Sequence, residues 1–203
     1  MLASDERRVV QVARRHVWVY EGGRTVHRRV RGGVDLVVGD RVMVDPDGAV
    51  SRRLPRDNVL ERATPKGRRV LAANFDDLVV IVAARTRDGG EGLVARVVAA
   101  AYRAGAEPLI LGNKADLDAD GRLAARIERW RRLGFEALTA SATRGEGLDA
   151  LRVRLRGRVA CLVGASGVGK STLINALLPE AGRRVGHLGA GGRGRHTTTL
   201  ATG

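Results

Sequence analysis

Cysteine is almost absent from the chain: Cys161 stands alone among 203 residues. That excludes an internal disulfide and any zinc cage built on cysteines, and a lone thiol suits a reducing compartment. Asp5, Glu6, Arg7 and Arg8 interrupt the start of the sequence, so no charged-then-apolar leader is read there. Long apolar runs are missing as well. The longest, residues 78–84, falls far short of the roughly 20 residues needed to span a bilayer. A soluble, cytoplasmic monomer with no membrane attachment is the expectation. Aromatic residues make up only 3% of the chain, so any contact with nucleic acid is expected to rest on phosphates more than on base stacking. Acids are scarce relative to bases: 36 Lys and Arg face 22 Asp and Glu, for a net charge of +14. Such a balance favours polyanions, because each phosphate neutralised releases counterions. The plain alternative is an arginine-rich surface that merely solvates the fold.

What is present is a hydrophobic fraction of 44%, enough for a packed core. The first 70 residues read as short β-segments. Val9-Val10-Gln11-Val12 and Val17-Trp18-Val19-Tyr20 are strand formers, and Glu21-Gly22-Gly23 is a turn. Residues 25–30 and Asp40-Arg41-Val42-Met43-Val44 continue the pattern, with Pro46-Asp47-Gly48 as a second turn before Ala49-Val50. Short strands at this spacing predict a small barrel, with OB-like and SH3-like forms both compatible. Residues 52–69 are polar, carry Pro55, Pro65 and Gly67, and read as a linker. The net charge is +7 on each side of residue 70, so charge alone does not assign RNA binding to the barrel.

From Leu71 onward strands alternate with helices, the signature of a parallel α/β sheet. Leu78-Val79-Val80-Ile81-Val82 is a continuous apolar run, as in a strand covered on both faces. Helices are predicted over 93–104, 122–133, 148–155 and 172–178, and further strands over 108–111, 135–139 and 159–163. Trp130 reads as a core or domain-contact residue, and Cys161 as an inert core residue. His16, His27 and His187 form no constellation suited to metal or catalysis, and His196 reads as an exposed neutral histidine.

Gly164-Ala165-Ser166-Gly167-Val168-Gly169-Lys170-Ser171, followed by Thr172, lies between a strand and a helix and matches the P-loop pattern. Glycines there let successive N–H groups turn toward phosphate oxygens. Lys170 would place charge on the β- and γ-phosphates, and the Ser171 hydroxyl would ligate Mg²⁺. Asn113-Lys114-Ala115-Asp116, at a strand end, supplies the choice of base. The Asp116 carboxylate accepts from guanine N1–H and the 2-amino group; adenine has no such donor pair and would leave the carboxylate unpaired. Asn113 would bond the N7/O6 edge, and the Lys114 stem would pack on the base. Ser141-Ala142-Thr143 follows one helix and one strand later, with the Ala142 N–H facing guanine O6 and Ser141 bracing the loop. A P-loop ATPase or kinase is disfavoured, because the guanine motif sits where the base is read.

In most GTPases the P-loop comes first; here it comes last. The sheet tolerates this permutation because its ligands gather at the strands' carboxyl ends in any chain order. Beyond the P-loop helix, residues 182–203 contain Arg183, Arg184, Arg193 and Arg195 with no acid among them. Thr197-Thr198-Thr199 would form switch I, with Thr198 first and Thr197 second as the threonine closing on Mg²⁺ and the γ-phosphate.

The chain resembles the RsgA (YjeQ/EngC) family of small-ribosomal-subunit biogenesis GTPases. The resemblance rests on Val38-Gly39-Asp40-Arg41-Val42, Pro55-Arg56-Asp57-Asn58-Val59-Leu60-Glu61-Arg62 and Ala72-Ala73-Asn74-Phe75-Asp76. It extends through Asn113-Lys114-Ala115-Asp116, residues 164–178 and Gly192-Arg193-Gly194-Arg195-His196-Thr197-Thr198-Thr199. It implies an OB-fold barrel plus linker over 1–69 that binds rRNA, and a circularly permuted GTPase domain over 70–203. It also implies GTP or GDP with Mg²⁺ as ligands, and late maturation of the small (30S) ribosomal subunit, with its 16S rRNA, as the setting. The family carries an Asp-x-x-Gly switch II and a Cys/His zinc domain beyond this point, and neither follows the threonine run within residues 1–203. The expectation is therefore a truncated chain with weaker triphosphate sensing and poor or absent hydrolysis, the alternative being a non-hydrolysing guanine-nucleotide and rRNA binding module.

Overall fold

The computed structural model describes residues 6–13, 16–65, 67–84 and 90–178, and the backbone of 197–201. The calls on Arg183, Arg184, His187, Arg193, Arg195 and His196 lie outside the described residues. Two compact units divide between Phe75 and Asp76.

The first unit is β-rich. Strands β1 (Glu6–Ala13), β2 (His16–Glu21), β3 (Arg24–Arg29), β4 (Arg41–Val44) and β5 (Val50–Arg53) form a sheet of order β3-β2-β1-β4-β5. All ladders are antiparallel. A parallel bridge between Val30 and Val50, with Arg31 N–H donating to the Val50 carbonyl at 3.0 Å, draws the two outer strands together. Period-two alternation selects the inner face: Val9, Val17, Val19, Val42 and Val50 are buried together with Leu36. The β2–β3 turn uses Gly22 and Gly23, both at positive φ, as the sequence requires of a tight hairpin.

The expected linker is a structured element instead. Residues Val59–Thr64 (β6) and Gly67–Ala73 (β7) pair as an antiparallel hairpin. Pro65 and Gly67 therefore punctuate a turn between two short strands, which composition alone reads as loop. The residues ahead of the hairpin form a polar clamp. Asp40 is fully buried and accepts from Arg56 Nε at 2.7 Å and Nη2 at 2.8 Å, and also from the Val37 N–H. Asn58 exchanges both amide bonds with the Phe75 backbone, and Asn74 accepts from Asp57 N–H while donating to the Gly39 carbonyl. Gly39 sits at φ 91, where a Cβ would strike the Ala73 carbonyl oxygen. Breaking one side of a buried ion pair strands the other charge, at a cost of about 3–5 kcal/mol. Arg56→Ala is expected to destabilise the first unit by that amount, read as a lowered urea midpoint; an unchanged midpoint would show that the clamp is not structural.

The second unit is a three-layer α/β sandwich. Strands β8 (Asp77–Ala83), β9 (Glu107–Asn113), β10 (Ala137–Ala140), β11 (Val159–Gly164) and β12 (Thr197–Ala201) form a sheet of order β10-β9-β8-β11-β12. The first four strands are mutually parallel, and β12 runs antiparallel beside β11. The sequence pattern showed four of these strands; β12 lies in the threonine run assigned to switch I. Helices are α1 (Glu91–Ala104), α2 (Arg122–Arg132), α3 (Leu148–Leu155) and α4 (Lys170–Leu177).

Alternation assigns the helices to faces. Val79, Ile81, Leu109, Leu111 and Leu162 pack with Leu148, Leu151 and Leu155 of α3 and with Leu173, Ile174 and Leu177 of α4. Helix α1 packs on β8 and β9, and α2 on β9 and β10, with Val94, Val98, Ala101, Leu123 and Ile127 buried. Strand β10 begins two residues later than its apolar run suggested, and Phe135 instead packs edge-on against Trp130 with centroids 5.6 Å apart. At the amino-terminal edge of the sheet, fully buried Asp77 accepts from Arg154 and from Arg158 at 2.6–3.0 Å.

Candidate functional site

Ligands of an open parallel sheet gather at its strands' carboxyl ends. There β11 ends at Gly164, and the chain curls through Ala165, Ser166, Gly167 and Val168 into α4, which begins at Lys170. Gly167 (φ 81) and Gly169 (φ 95) take the left-handed backbone that turns N–H groups toward an anion at a helix N-terminus. The helix starts two residues earlier than its apolar pattern indicated, so Lys170, Ser171 and Thr172 all lie in its first turn. Ser171 and Thr172 are exposed.

Lys170 is 6% exposed, and its Nζ donates to the carbonyls of Gly164 at 2.8 Å and Ala165 at 2.9 Å. Burial pushes its pKa below the ordinary lysine value. The other buried charges among the described residues, Asp40 and Asp77, have arginine partners. Among the described residues Lys170 alone is a buried charge held by carbonyl dipoles without a counter-ion. A desolvated ammonium is costly unless paired, and a phosphate oxygen is the partner that this loop is shaped to bring.

Strand β9 delivers the second loop. Lys114 adopts φ 62, an uncommon conformation for a residue with a side chain, and leads into a single 3₁₀ turn, Ala115–Leu117. Asn113 is 1% exposed; its Nδ2 donates to the Val168 carbonyl at 2.9 Å and its Oδ1 accepts from the Ala142 N–H at 3.3 Å. Lys114 Nζ donates to the Gly167 carbonyl at 2.7 Å. Asn113 and Lys114 thus bolt the base loop to the P-loop, a task that the motif alone did not reveal. The base contact expected of Asn113 would fall to its second Nδ2 proton.

Asp116 is half-buried, and its Oδ1 accepts from the Ser141 hydroxyl at 2.6 Å. Ser141 is itself fully buried; its N–H donates to the Glu146 carbonyl at 2.9 Å and its Oγ accepts from the Arg144 N–H at 3.2 Å. The brace expected of Ser141 therefore acts directly on the carboxylate that would read the base. Sequence reasoning missed Asp118, whose two carboxylate oxygens accept from the Leu123 and Ala124 N–H groups and tie the loop to the first turn of α2. Its signal was an acid just ahead of a helix start.

At the far side of the P-loop, Thr197 pairs with Val163 and Thr198 with Leu162. The threonine run thus begins one residue from Gly164, the first glycine of the loop. Mg²⁺ favours oxygen donors and keeps several waters beside substrate phosphates, so a hydroxyl in the first turn of α4 fits it. Among the described residues no group of three or more His, Cys, Asp or Glu could hold a metal. The Ser171 hydroxyl, exposed in the first turn of α4, is the oxygen donor that would hold such a cation.

Gly169 cannot carry a side chain here, because a Cβ would meet the Asn113 amide. Gly169→Ala adds about 1–2 kcal/mol of left-handed strain to the loss of that tie, and GDP affinity is expected to fall at least about tenfold. A fluorescent-GDP titration checks this; unchanged affinity would mean that the Asn113 tie is dispensable.

The fold and these loops define a P-loop GTPase domain in which the base loops precede the phosphate loop, a circularly permuted arrangement. A family model described as RsgA GTPase matches residues 53–202, and the chain belongs to that family. The small ribosomal subunit biogenesis GTPase RsgA of Pseudomonas putida is 44% identical over 175 residues, covering 82% of this chain and 51% of the relative. Its counterpart from Ectopseudomonas mendocina is 43% identical over the same shares. The chain spans about half the length of the curated relatives it matches. The crystal structure of YjeQ from Thermotoga maritima superposes with a TM-score of 0.65 at 27% identity, over 86% of this chain and 65% of that one. YloQ, described as a circularly permuted GTPase, superposes at 0.59 and 23% identity over 86% and 64%, a likeness of fold.

Proposed function

We propose that this chain binds GTP and GDP with Mg²⁺, hydrolyses GTP, and acts as a cytoplasmic assembly factor in late maturation of the small ribosomal subunit. The observation that carries the reading is the buried Lys170, with no counter-ion among the described residues, in a glycine loop bolted to the loop of a braced Asp116. Lys170 would draw the β- and γ-phosphates, Asp116 would select guanine, and Ser141 and Asn113 would hold the loops in register. Bound Mg²⁺ would add charge neutralisation at the phosphates, held through Ser171 and, from the threonine run, Thr198 or Thr197. The setting is drawn from the relatives, whose name specifies small ribosomal subunit biogenesis.

For the β-rich unit we propose an OB-fold barrel that binds 16S rRNA. The strand order β3-β2-β1-β4-β5 with its parallel Val30–Val50 bridge supports that topology, and the net charge of +14 supports a polyanionic partner. No described helix is long and apolar enough to cross a membrane.

The test is phosphate release from GTP by residues 1–203, with and without purified small subunits, alongside co-sedimentation. Co-sedimentation with stimulated release that Lys170→Met abolishes is expected. Co-sedimentation without turnover would identify the non-hydrolysing binding module, and absence of both would overturn the ribosomal reading.

A further inference from the structure

The outer face of the β2–β3 ribbon gathers rings that the composition had made scarce. Residues 16, 18 and 20 share one face of β2, opposite to the face that buries Val17 and Val19. The register sets His16 directly across from Arg29, Trp18 across from His27, and Tyr20 across from Thr25. Gln11 of β1 lies across from Trp18 on its other side.

The rings are in contact. His16 and His27 stack with centroids 4.8 Å apart and planes 24° from parallel, and Trp18 meets His27 at 4.9 Å. His16, His27 and Arg29 are exposed, and Trp18 is half-buried. Arg29 makes no ion pair with an acid among the described residues. Two histidines, a tryptophan and an arginine on one exposed strand face do not serve a core, because the valines of the same strands already fill it. Flat π-faces next to an uncommitted guanidinium have the chemistry of a stacking platform: bases lie on the rings while the cation meets the adjoining phosphate. A duplex hides its base faces in its own stack, so the platform suits unpaired nucleotides.

We propose that His16, Trp18 and His27, with Arg29 beside them, form a stacking subsite for unpaired bases of RNA. This rests on the RNA-binding reading of the β-rich unit and gives it a location and a class of ligand. It also revises the expectation from composition: the aromatics are few, but Trp18 and Tyr20, two of six, fall on this face.

The test uses the full chain carrying Trp130→Phe, so that Trp18 is the only tryptophan. An unstructured RNA of about ten nucleotides, the matching duplex and inorganic polyphosphate are titrated at one salt concentration. The single strand is expected to quench Trp18 emission, and the duplex and polyphosphate to leave it unchanged. Trp18→Leu is expected to weaken single-strand binding about tenfold or more, with His27→Ala in the same direction and Trp18→Phe close to the parent. Near-ultraviolet circular dichroism identifies any variant that fails to fold, and the His27→Ala and quenching results stand without Trp18→Leu. Single-strand binding with unchanged emission, and affinities within twofold in the folded Trp18→Leu and His27→Ala variants, would overturn the platform and leave RNA binding intact. No binding of any RNA would overturn the reading beneath it.

Discussion

Asp116→Asn is expected to lower GDP affinity about a thousandfold and to install a preference for xanthine nucleotides. The carboxylate would accept from guanine N1–H and from the 2-amino group, two hydrogen bonds to a charged acceptor. Each is worth roughly 1.5–3 kcal/mol, so losing most of both corresponds to about 4 kcal/mol. Asparagine keeps one oxygen, which can still accept from the Ser141 hydroxyl now 2.6 Å from Asp116 Oδ1. The loop should therefore hold its shape. The new –NH₂ group would face the guanine 2-amino group, donor against donor, whereas xanthine presents a carbonyl there. Competition of GDP and XDP against a fluorescent nucleotide reads the exchange. GDP affinity unchanged in this variant would remove the base-reading role from Asp116. Ser141→Ala, which removes the brace and the acceptor of the Arg144 N–H, is expected to cost about tenfold without changing base preference.

Lys170→Met is expected to weaken GDP and GTP binding by about a hundredfold or more while leaving the apo fold intact. The long side chain of methionine fills the space, but the charge that a phosphate would neutralise is gone. The same residue sets a dependence on pH in the absence of nucleotide. Its folded pKa lies below the ordinary 10.5 because burial disfavours the charged form. Over the interval up to 10.5 the unfolded chain binds the extra proton, so stability rises with pH there. The penalty is present in full below the folded pKa and is relieved as the pH rises toward 10.5. Subtracting the stability curve of Lys170→Met from that of the parent isolates this slope. A flat difference would mean that Lys170 is as well solvated folded as unfolded. Added GDP should abolish the penalty, because the phosphates supply the missing counter-ion.

Much of the nucleotide unit was legible because its signals are local. A continuous apolar run such as residues 78–82 has few other fates than a buried strand, and Gly105 closes α1 in the left-handed conformation as glycine there commonly does. The P-loop and guanine motif are contiguous in sequence, so their strand-end positions followed from the pattern. What escaped is non-local. The Asp40–Arg56 pair joins residues 16 positions apart, and its arginine and neighbouring proline read as linker until the buried partner is known. The β6–β7 hairpin is charged along its exposed strands, which hides the alternation that usually marks a strand. The bolting of Asn113 to Val168 spans 55 positions and appears only when β9 and β11 present their carboxyl ends together. The stacked rings on β2 and β3 needed the register, since His16 and His27 mean nothing in sequence until the hairpin sets them side by side. The places of the motifs at strand ends were thus readable from the sequence, and so was the brace from Ser141, whereas the ties of Asn113 and Lys114 to the P-loop were not.

The most direct measurement is a calorimetric titration of the chain with GDP and, separately, with ADP, each in the presence of Mg²⁺. GDP is expected to bind at micromolar dissociation constant or tighter, and ADP at least about a hundredfold more weakly, because adenine leaves the Asp116 carboxylate unpaired. Equal binding of the two, or no binding of GDP, would contradict guanine recognition by the loops of Asn113, Asp116 and Ser141.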